Sequence, residues 1–205
     1  MRSDAPLTTH DEQSRLTVYD MSDERLRQLQ RQWLETGLLE DHATYLRELV
    51  RVGGLEPARL ELAAYCSHRA ASEALDRRSH LDATRMRPFD WAVGLQAYGN
   101  RVPLRAAVLA ILQLTGEEIA RTETHARFVH ELTQLIGHAD DLSGLSFPSG
   151  FDAYPGGHWL RSALANSDAS ISAYNAAMAL AECARIAPES IDSVRSLLAT
   201  WALDH

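Results

Sequence analysis

The fold is decided by residues 102–114, where the chain reads VPLRAAVLAILQL. If these residues form a helix, nearly every side of it is apolar apart from Arg105. A helix that is apolar all round belongs in the interior of a protein, with neighbours on several sides. We therefore expect this segment to be the central helix of the molecule.

Helix signals continue outward from this segment in both directions. Pro57 and Pro88 stand where a first-turn proline opens a helix, and Gly53, Gly54 and Gly99 stand where helices end. The helix opened by Pro57 is expected to carry its apolar side through Ser67 and to continue briefly to Leu75. Further helices are predicted to begin near Ser22, Asp41, Glu117, Tyr174 and Ser190.

Strand signals are nearly missing, because alternation of apolar and polar residues never persists for more than a few positions. The sequence therefore predicts an all-α fold, an irregular multi-helix bundle of about eight to ten helices. Pro57 and Pro103 each open an Arg- and Ala-containing segment and lie 46 residues apart. This spacing leaves a HEAT-like stack of helix pairs as an alternative.

The domain organisation follows from length and from the distribution of apolar residues. Residues 1–20 have few apolar anchors and are expected to be a flexible lead-in. Residues 21–205 are long enough for one substantial core, so a single helical domain is predicted. Residues 138–157, rich in Gly, Pro and Asp, are predicted to form one long loop.

The charged residues exclude several kinds of chemistry. All 20 basic residues are Arg, so Schiff-base lysines, phosphate-loop lysines and Ser–Lys nucleophile pairs are excluded. The 28 acidic residues give a net charge of −8, which repels phosphate backbones and anionic lipid. We expect no binding of double-stranded nucleic acid, and a basic protein is the partner that this charge favours.

Cysteine usage and hydropathy indicate the compartment. Cys66 and Cys183 are far apart in sequence and are expected to be small core residues, with neither a disulfide framework nor a CxxC motif. No segment approaches the roughly 20 apolar residues that span a bilayer, and Met1 to Asp20 lacks a signal peptide's apolar run. A cytoplasmic protein that does not bind membranes is expected.

The loop over residues 138–157 is the predicted contact site for a partner. It interleaves acidic and aromatic side chains, and loops this long are uncommon unless they are functional or disordered. The alternative is a loop folded over the core with its aromatic rings buried. The residues assigned to partner binding are Asp140, Asp141, Phe147, Phe151 and Tyr154.

The histidines and serines of the chain do not form a recognisable catalytic pattern. His130 and Glu131 begin a metalloprotease-like motif, but Gln134 stands where the second metal ligand is required. His125 and His130 are five residues apart, which places them on different sides of a helix. No GxSxG sequence surrounds a serine. We therefore predict no catalytic residue, metal site or cofactor.

Arg105 is the one charge in the apolar central segment. A guanidinium there must reach solvent or pair with a carboxylate, because an unpaired buried charge is very costly. An internal strut between Arg105 and a carboxylate is the favoured interpretation. Binding of a ligand by Arg105 is the alternative.

Several stretches carry a resemblance to known proteins: residues 33–41, 60–68, 91–95, 104–107 and 198–203. Through these stretches the chain resembles a large paralogous group of uncharacterised helical proteins encoded by GC-rich predatory soil bacteria. The chain is also similar to Ala-rich helical immunity proteins of bacterial toxin systems, and this second resemblance implies an acidic, non-catalytic protein.

Two functions of different class follow as expectations. The first is a non-catalytic helical protein-interaction module, an immunity-type or defence-associated adaptor that binds a protein partner. The alternative is a small-molecule sensor or an enzyme with a pocket near Arg105 and the loop after Gly137. Convergence of histidines and carboxylates in one cleft would favour the alternative, and their dispersion would favour the adaptor.

Overall fold

A computed structural model describes most of the chain. Every regular element in the described part is helical, so the fold is all-α, a multi-helix bundle, as predicted. The HEAT-like arrangement stays a prediction. The described residues are 24–76, 86–99, 101–119, 127, 130–134, 147 and 149–204.

The described residues 24–76 contain four helices. Helix α1 covers residues 24–36, α2 Leu39–Arg51, α3 Pro57–Tyr65 and α4 Arg69–Ala74. Helix α2 packs on α4, and α4 on α3.

The middle part contains the central helix. Helix α5, Pro88–Gly94, continues into a 3₁₀ turn, Leu95–Tyr98, and α6 covers Arg101–Ile119. From Val102 to Ile111 every residue of α6 is buried, which confirms that this segment lies in the interior. Residues 130–134 are also helical.

The C-terminal part follows a short 3₁₀ turn, Phe151–Ala153. Helix α7 covers Gly157–Ala165, α8 Ala169–Ile186 and α9 Pro188–Leu203. Helix α8 packs against α5, α6 and α7, and α9 packs against α3, α6 and α8. Helix α9 therefore joins the N-terminal helices to the centre of the bundle.

Most helix boundaries agree with the sequence. Pro57 and Pro88 occupy the first helical positions of α3 and α5, and Gly53 and Gly99 follow α2 and the 3₁₀ turn with positive φ angles of 78° and 108°. Both cysteines are buried, as predicted. In the described part of the chain, no helix is long and apolar enough to cross a membrane.

Three boundaries differ from the prediction. Helix α6 continues through Gly116 to Ile119, because one glycine costs a helix only about 1 kcal/mol, which does not by itself end the helix. Helix α7 begins at Gly157, where the sequence predicts only the end of a loop. The helix opened by Pro57 ends at Tyr65, and α4 begins anew at Arg69. The turn between α3 and α4 forms part of the wall of the cavity described in the next section.

Candidate functional site

The turn between α3 and α4 places an unusual residue at the surface of a cavity. The Ser67 amide donates to the Ala64 carbonyl at 2.9 Å, and the His68 amide donates to the Ala63 carbonyl at 3.0 Å. This pair of bonds is the Schellman ending of a helix, in which the residue after the cap adopts left-handed φ. That residue is Ser67, with φ 67°.

Serine is not the residue that this backbone favours. Left-handed φ costs a residue with a Cβ about 1 kcal/mol or more, and glycine avoids the cost. Where α2 ends, the chain has Gly53 in this conformation. The Oγ of Ser67 is buried and has no hydrogen-bond partner among the described residues. Within the described residues, the hydroxyl therefore makes no hydrogen bond that would offset the backbone cost.

The cavity beside Ser67 has a volume of about 490 Å³. This volume falls within the roughly 300–1,000 Å³ of sites that hold small molecules. Helix α9 forms one wall, and the beginnings of α2 and α4 form the others. The lining residues are Leu39, His42, Cys66, Ser67, His68, Arg69, Ala70, Asp192, Arg195, Ser196, Ala199 and Thr200.

Two histidines stand at the boundary between this cavity and a second one. His42 and His68 line both, and the second cavity, of about 350 Å³, is also lined by Trp33 and Tyr45. The His42 ring stacks on the indole of Trp33, with centroids 3.9 Å apart and planes inclined by 10°. The His68 ring meets the His42 ring edge to face at 5.3 Å.

Both imidazoles are held in the neutral form. Burial, together with repulsion from His68 whenever that ring is protonated, lowers the pKa of His42 to about 4. Burial also lowers the pKa of His68. The Ala71 amide donates to Nδ1 of His68 at 3.2 Å, which caps α4. Because Nδ1 accepts this bond, the neutral ring of His68 carries its proton on Nε2 and can donate there.

Arg195 supplies a buried positive charge to the cavity wall. The residue is 6% exposed, and its guanidinium lies 4.9 Å from the ring centroid of Trp91. One of its nitrogens donates to Asp192 Oδ1 at 2.9 Å, although the Asp192 side chain is 74% exposed. A solvent-exposed carboxylate compensates a buried cation less than a buried carboxylate would.

Cys66, next to Ser67 on the same wall, is unsuited to nucleophilic chemistry. Burial raises the pKa of its thiol to about 12, and the charge of Arg195 offsets this only in part. A thiol with so high a pKa is not ionised near neutrality, and the thiolate is the reactive species. Cys66 therefore acts as an apolar wall residue.

The predicted partner-binding loop is only partly described. Asp140 and Asp141 lie outside the described residues. Phe151 is fully buried, and its ring lies 5.0 Å from that of Phe147 and 6.1 Å from that of Tyr154. Phe147 and Tyr154 are partly buried against the core. For these three aromatics the structure agrees with the alternative of rings folded over the core.

Arg105 does not have the carboxylate partner that the strut interpretation requires among the described residues. Its guanidinium lies over the indole of Trp201, with Cζ 4.1 Å from the ring centroid. Arg105 lines neither of the two cavities. The pocket predicted near Arg105 stays a prediction.

The structure describes only some of the histidines on which the predicted absence of a metal site depends. His125 and His138 lie outside the described residues, and His130 is exposed. No group of three potential metal ligands occurs in the part of the chain that the structure describes.

Sequence reasoning misses the residues that converge here. His42, Ser67, His68 and Arg195 lie on separate helices and one turn, so no local motif joins them. The only local signal is the polar sequence Ser67-His68 after an apolar run, without the glycine that usually ends a helix. Their convergence depends on the packing of α9 against α3 and of α2 against α4.

In comparisons with known proteins, no family model, curated protein or solved structure matches this chain. The resemblance to the helical proteins of predatory soil bacteria and to immunity proteins stays a prediction.

Proposed function

We propose that this protein binds a small molecule, without chemically changing it, in the cavity between the turn after α3 and helix α9. The observation that carries this proposal is Ser67. Its backbone is held in a left-handed conformation, and its buried hydroxyl lacks a partner among the described residues, on the wall of a 490 Å³ cavity. Because the Oγ is buried, the Ser67 side chain must rotate toward the cavity before a ligand can give the hydroxyl the hydrogen-bond partner that a buried polar group requires.

The surrounding groups support recognition of a polar ligand. His68 offers an Nε2 proton donor, and Arg195 adds a cation on the opposite wall. The apolar part of the lining comes from Leu39, Cys66, Ala70 and Ala199. Polar groups that fix a ligand by hydrogen bonds, set beside apolar side chains, are usual in a small-molecule site.

The same residues favour binding over catalysis. In the described part of the chain, Ser67 Oγ makes no hydrogen bond to a histidine, so it lacks the adjacent base that activates a serine nucleophile. The Cys66 thiol is neutral for the reason given above.

The proposal is tested with Ser67→Gly. Glycine removes the hydroxyl and relieves the backbone, so the variant should be as stable as the wild type or more stable, by about 0.5–1 kcal/mol. A compound found by thermal-shift screening of a metabolite library should bind Ser67→Gly about tenfold more weakly, as expected for one lost hydrogen bond. Isothermal titration calorimetry measures both affinities.

Asp76→Gly is the matched control. Asp76 also has left-handed φ, 55°, at the end of a helix, but it is exposed and does not line the cavity. The control should gain similar stability and keep full affinity. Equal affinity of all three proteins for every screening hit would contradict the proposal.

A protein-binding role stays a second proposal, supported by exposed apolar side chains. Helix α5 presents Phe89 and Val93, and the neighbouring α8 presents Ile171 and Tyr174, each between 37% and 49% exposed. Exposed apolar groups on adjoining helices are typical of a partner surface. Tyr174→Glu should then abolish retention of a protein partner without changing small-molecule affinity. The immunity or defence role remains an expectation from resemblance.

A further inference from the structure

Two arginines lie against one indole where α3, α6 and α9 meet. The Cζ atom of Arg105, on α6, is 4.1 Å from the ring centroid of Trp201 on α9. The Cζ atom of Arg59, on α3, is 5.3 Å from the same ring centroid. Contact between a guanidinium and an aromatic face stabilises each cation, but it does not neutralise its charge.

Arg59 has a structural role that uses part of its guanidinium. One of its terminal nitrogens donates to the main-chain carbonyls of Trp201 and Asp204, both at 2.6 Å. These are carbonyls at the end of α9, where a positive side chain compensates the helix dipole. The Nε of Arg59 is buried and has no hydrogen-bond partner among the described residues.

Arg105 has no comparable polar partner in the described part of the chain. It is only 8% exposed, yet its guanidinium forms no hydrogen bond and no ion pair with any described residue. Burial lowers the pKa of Arg105, and the neighbouring charge of Arg59 lowers it further. A buried cation normally has a carboxylate partner, because the loss of hydration must be offset.

Among the described residues, the charged groups in contact with the Trp201 ring are therefore positive, whereas the whole chain is negative. Two full positive charges lie close to one ring, while the described groups in contact with them are neutral carbonyls and an indole face. The net charge of the protein is −8, so this concentration of positive charge is a local property. Guanidinium groups present parallel N–H donors that suit phosphate oxygens.

We propose that Arg59, Arg105 and Trp201 form a binding site for a phosphate group, whose two negative charges match the two guanidinium groups. The site is distinct from the cavity beside Ser67, because none of these three residues lines that cavity. The phosphate is either inorganic or the phosphoryl group of a small ester. In this site the indole contacts the Arg105 guanidinium, and the N–H groups of Arg105, which have no hydrogen-bond partner among the described residues, donate to the anion.

Thermal unfolding in sodium phosphate and in sodium chloride of equal ionic strength tests the proposal. Wild-type protein should show a melting temperature that rises with phosphate and saturates, since a ligand that binds only the native state stabilises it by mass action. Calorimetric titration with inorganic phosphate then gives the affinity. Arg105→Met and Arg59→Met should each weaken phosphate binding at least tenfold.

Arg87→Met is the matched control. Arg87 is an exposed arginine that pairs with Asp90 at 2.7 Å and lies outside the proposed site. Phosphate also stabilises proteins through exclusion from their surface, and that effect should be equal in all variants. An equal response of wild type, Arg87→Met and Arg105→Met to phosphate would overturn the site.

Further variants keep the test decisive if a methionine variant fails to fold. Arg105→Lys and Arg59→Lys retain the charge without the planar fork, so both should fold and bind phosphate measurably more weakly than wild type. Wild-type affinity in both lysine variants would contradict recognition by the paired guanidinium groups.

Three probes separate the possible sources of the anion. Stronger binding of glycerol phosphate than of inorganic phosphate would indicate a phosphorylated small molecule. The reverse order would indicate free phosphate. Either order of affinity supports a phosphate site. Acetate carries only one negative charge, so acetate binding as tightly as phosphate would contradict the proposed match between a doubly charged anion and two guanidinium groups. The affinity of compounds whose binding depends on Ser67 does not depend on phosphate binding at Trp201. The phosphate site and the proposed function can therefore be contradicted independently of each other.

Discussion

The rings of His42 and His68 meet edge to face, with the His42 ring also stacked on Trp33. Protonation of His42 would place a charge in a half-buried position beside another imidazole, which is why its pKa is lowered to about 4. Protonation of His68 at Nδ1 would remove the acceptor that caps α4. Both residues therefore favour the native fold only while they are neutral.

This arrangement makes stability depend on pH in a definite direction. The unfolded chain binds a proton at His42 near its ordinary pKa of about 6.5, and the native chain binds it only near 4. Between these values the unfolded state holds more protons, so the free energy of unfolding falls as pH decreases. We expect a loss of about 1–2 kcal/mol, reduced from the full effect because water screens the half-exposed ring. Urea denaturation at pH 7 and pH 4.5 measures it.

His42→Phe and His68→Asn identify the source of this dependence. Phenylalanine keeps the stack on Trp33, and asparagine is a good helix cap that does not titrate. The double variant should therefore lose less stability than the wild type on acidification. An unchanged pH dependence would mean that other groups, such as carboxylates, account for it.

Trp201 is the residue that joins α9 to the two arginines of α3 and α6. Trp201→Ala should lower the free energy of unfolding by about 3–4 kcal/mol, through lost packing and loss of both cation contacts. Trp201→Phe keeps an aromatic face for the guanidinium groups and should restore more than half of the loss. Chemical denaturation of the three proteins gives the comparison, and an unchanged midpoint in the alanine variant would contradict the inward position of this ring.

At the scale of elements, α7 and α8 are held together by a close approach at Gly156. This glycine has φ 73°, and its amide donates to Glu182 Oε2 on α8 at 3.1 Å. A Cβ at this position would lie 2.6 Å from the main-chain oxygen of Ala179. Since main-chain atoms of a packed helix cannot turn aside as a side chain can, any larger residue would push α7 away from α8.

Gly156→Ala should therefore lower the free energy of unfolding by more than the cost of placing alanine in the left-handed backbone conformation. We expect a loss of about 2–4 kcal/mol, which combines the φ cost with overpacking. Gly150→Ala is the control, since Gly150 has φ 84° and a Cβ added there would meet no described atom within 4 Å. Its loss should be about 1 kcal/mol. Equal losses in the two variants, measured by thermal or urea unfolding, would contradict the close contact.

The same elements show how far the sequence specifies the fold. The apolar residues of α6 and the prolines of α3 and α5 predict helices correctly, because burial on all sides and first-turn prolines are local signals. Helix α7 is not predicted because it begins at the second residue of the pair Gly156–Gly157, which is typical of a loop, and because its position depends on packing against α8. The aromatic rings of the loop can be placed near the core from the sequence only as one of two alternatives.

The candidate site is less predictable for a physical reason. The sequence predicts Ser67 within a continuous helix, because nothing local distinguishes its left-handed turn from one more helical residue. Arg195 comes from α9, much later in the chain, and reaches the cavity only through the packing of α9 on α3. Arg105 stands out from its apolar surroundings, but its aromatic partner cannot be identified from the sequence.

At the scale of the whole molecule, the two cysteines report on cooperativity. Cys66 lies at the end of α3 and is 3% exposed, and Cys183 lies in α8 and is fully buried. Both side chains belong to one continuous core of buried residues. Burial raises the pKa of each thiol to about 12. In the native state, neither thiol should react with a disulfide reagent unless the protein opens.

If the described helices form a single cooperative domain, both thiols become reactive in the same opening event. Cys66→Ala and Cys183→Ala leave one reporter each, and their labelling rates in increasing urea give an opening free energy for each thiol. We expect equal opening energies and an equal dependence on urea, matching global unfolding, because α9 packs on both halves of the bundle. A Cys66 that reacts faster, with little dependence on urea, would show that α2, α3 and α4 open separately around the cavity, and would contradict the single domain.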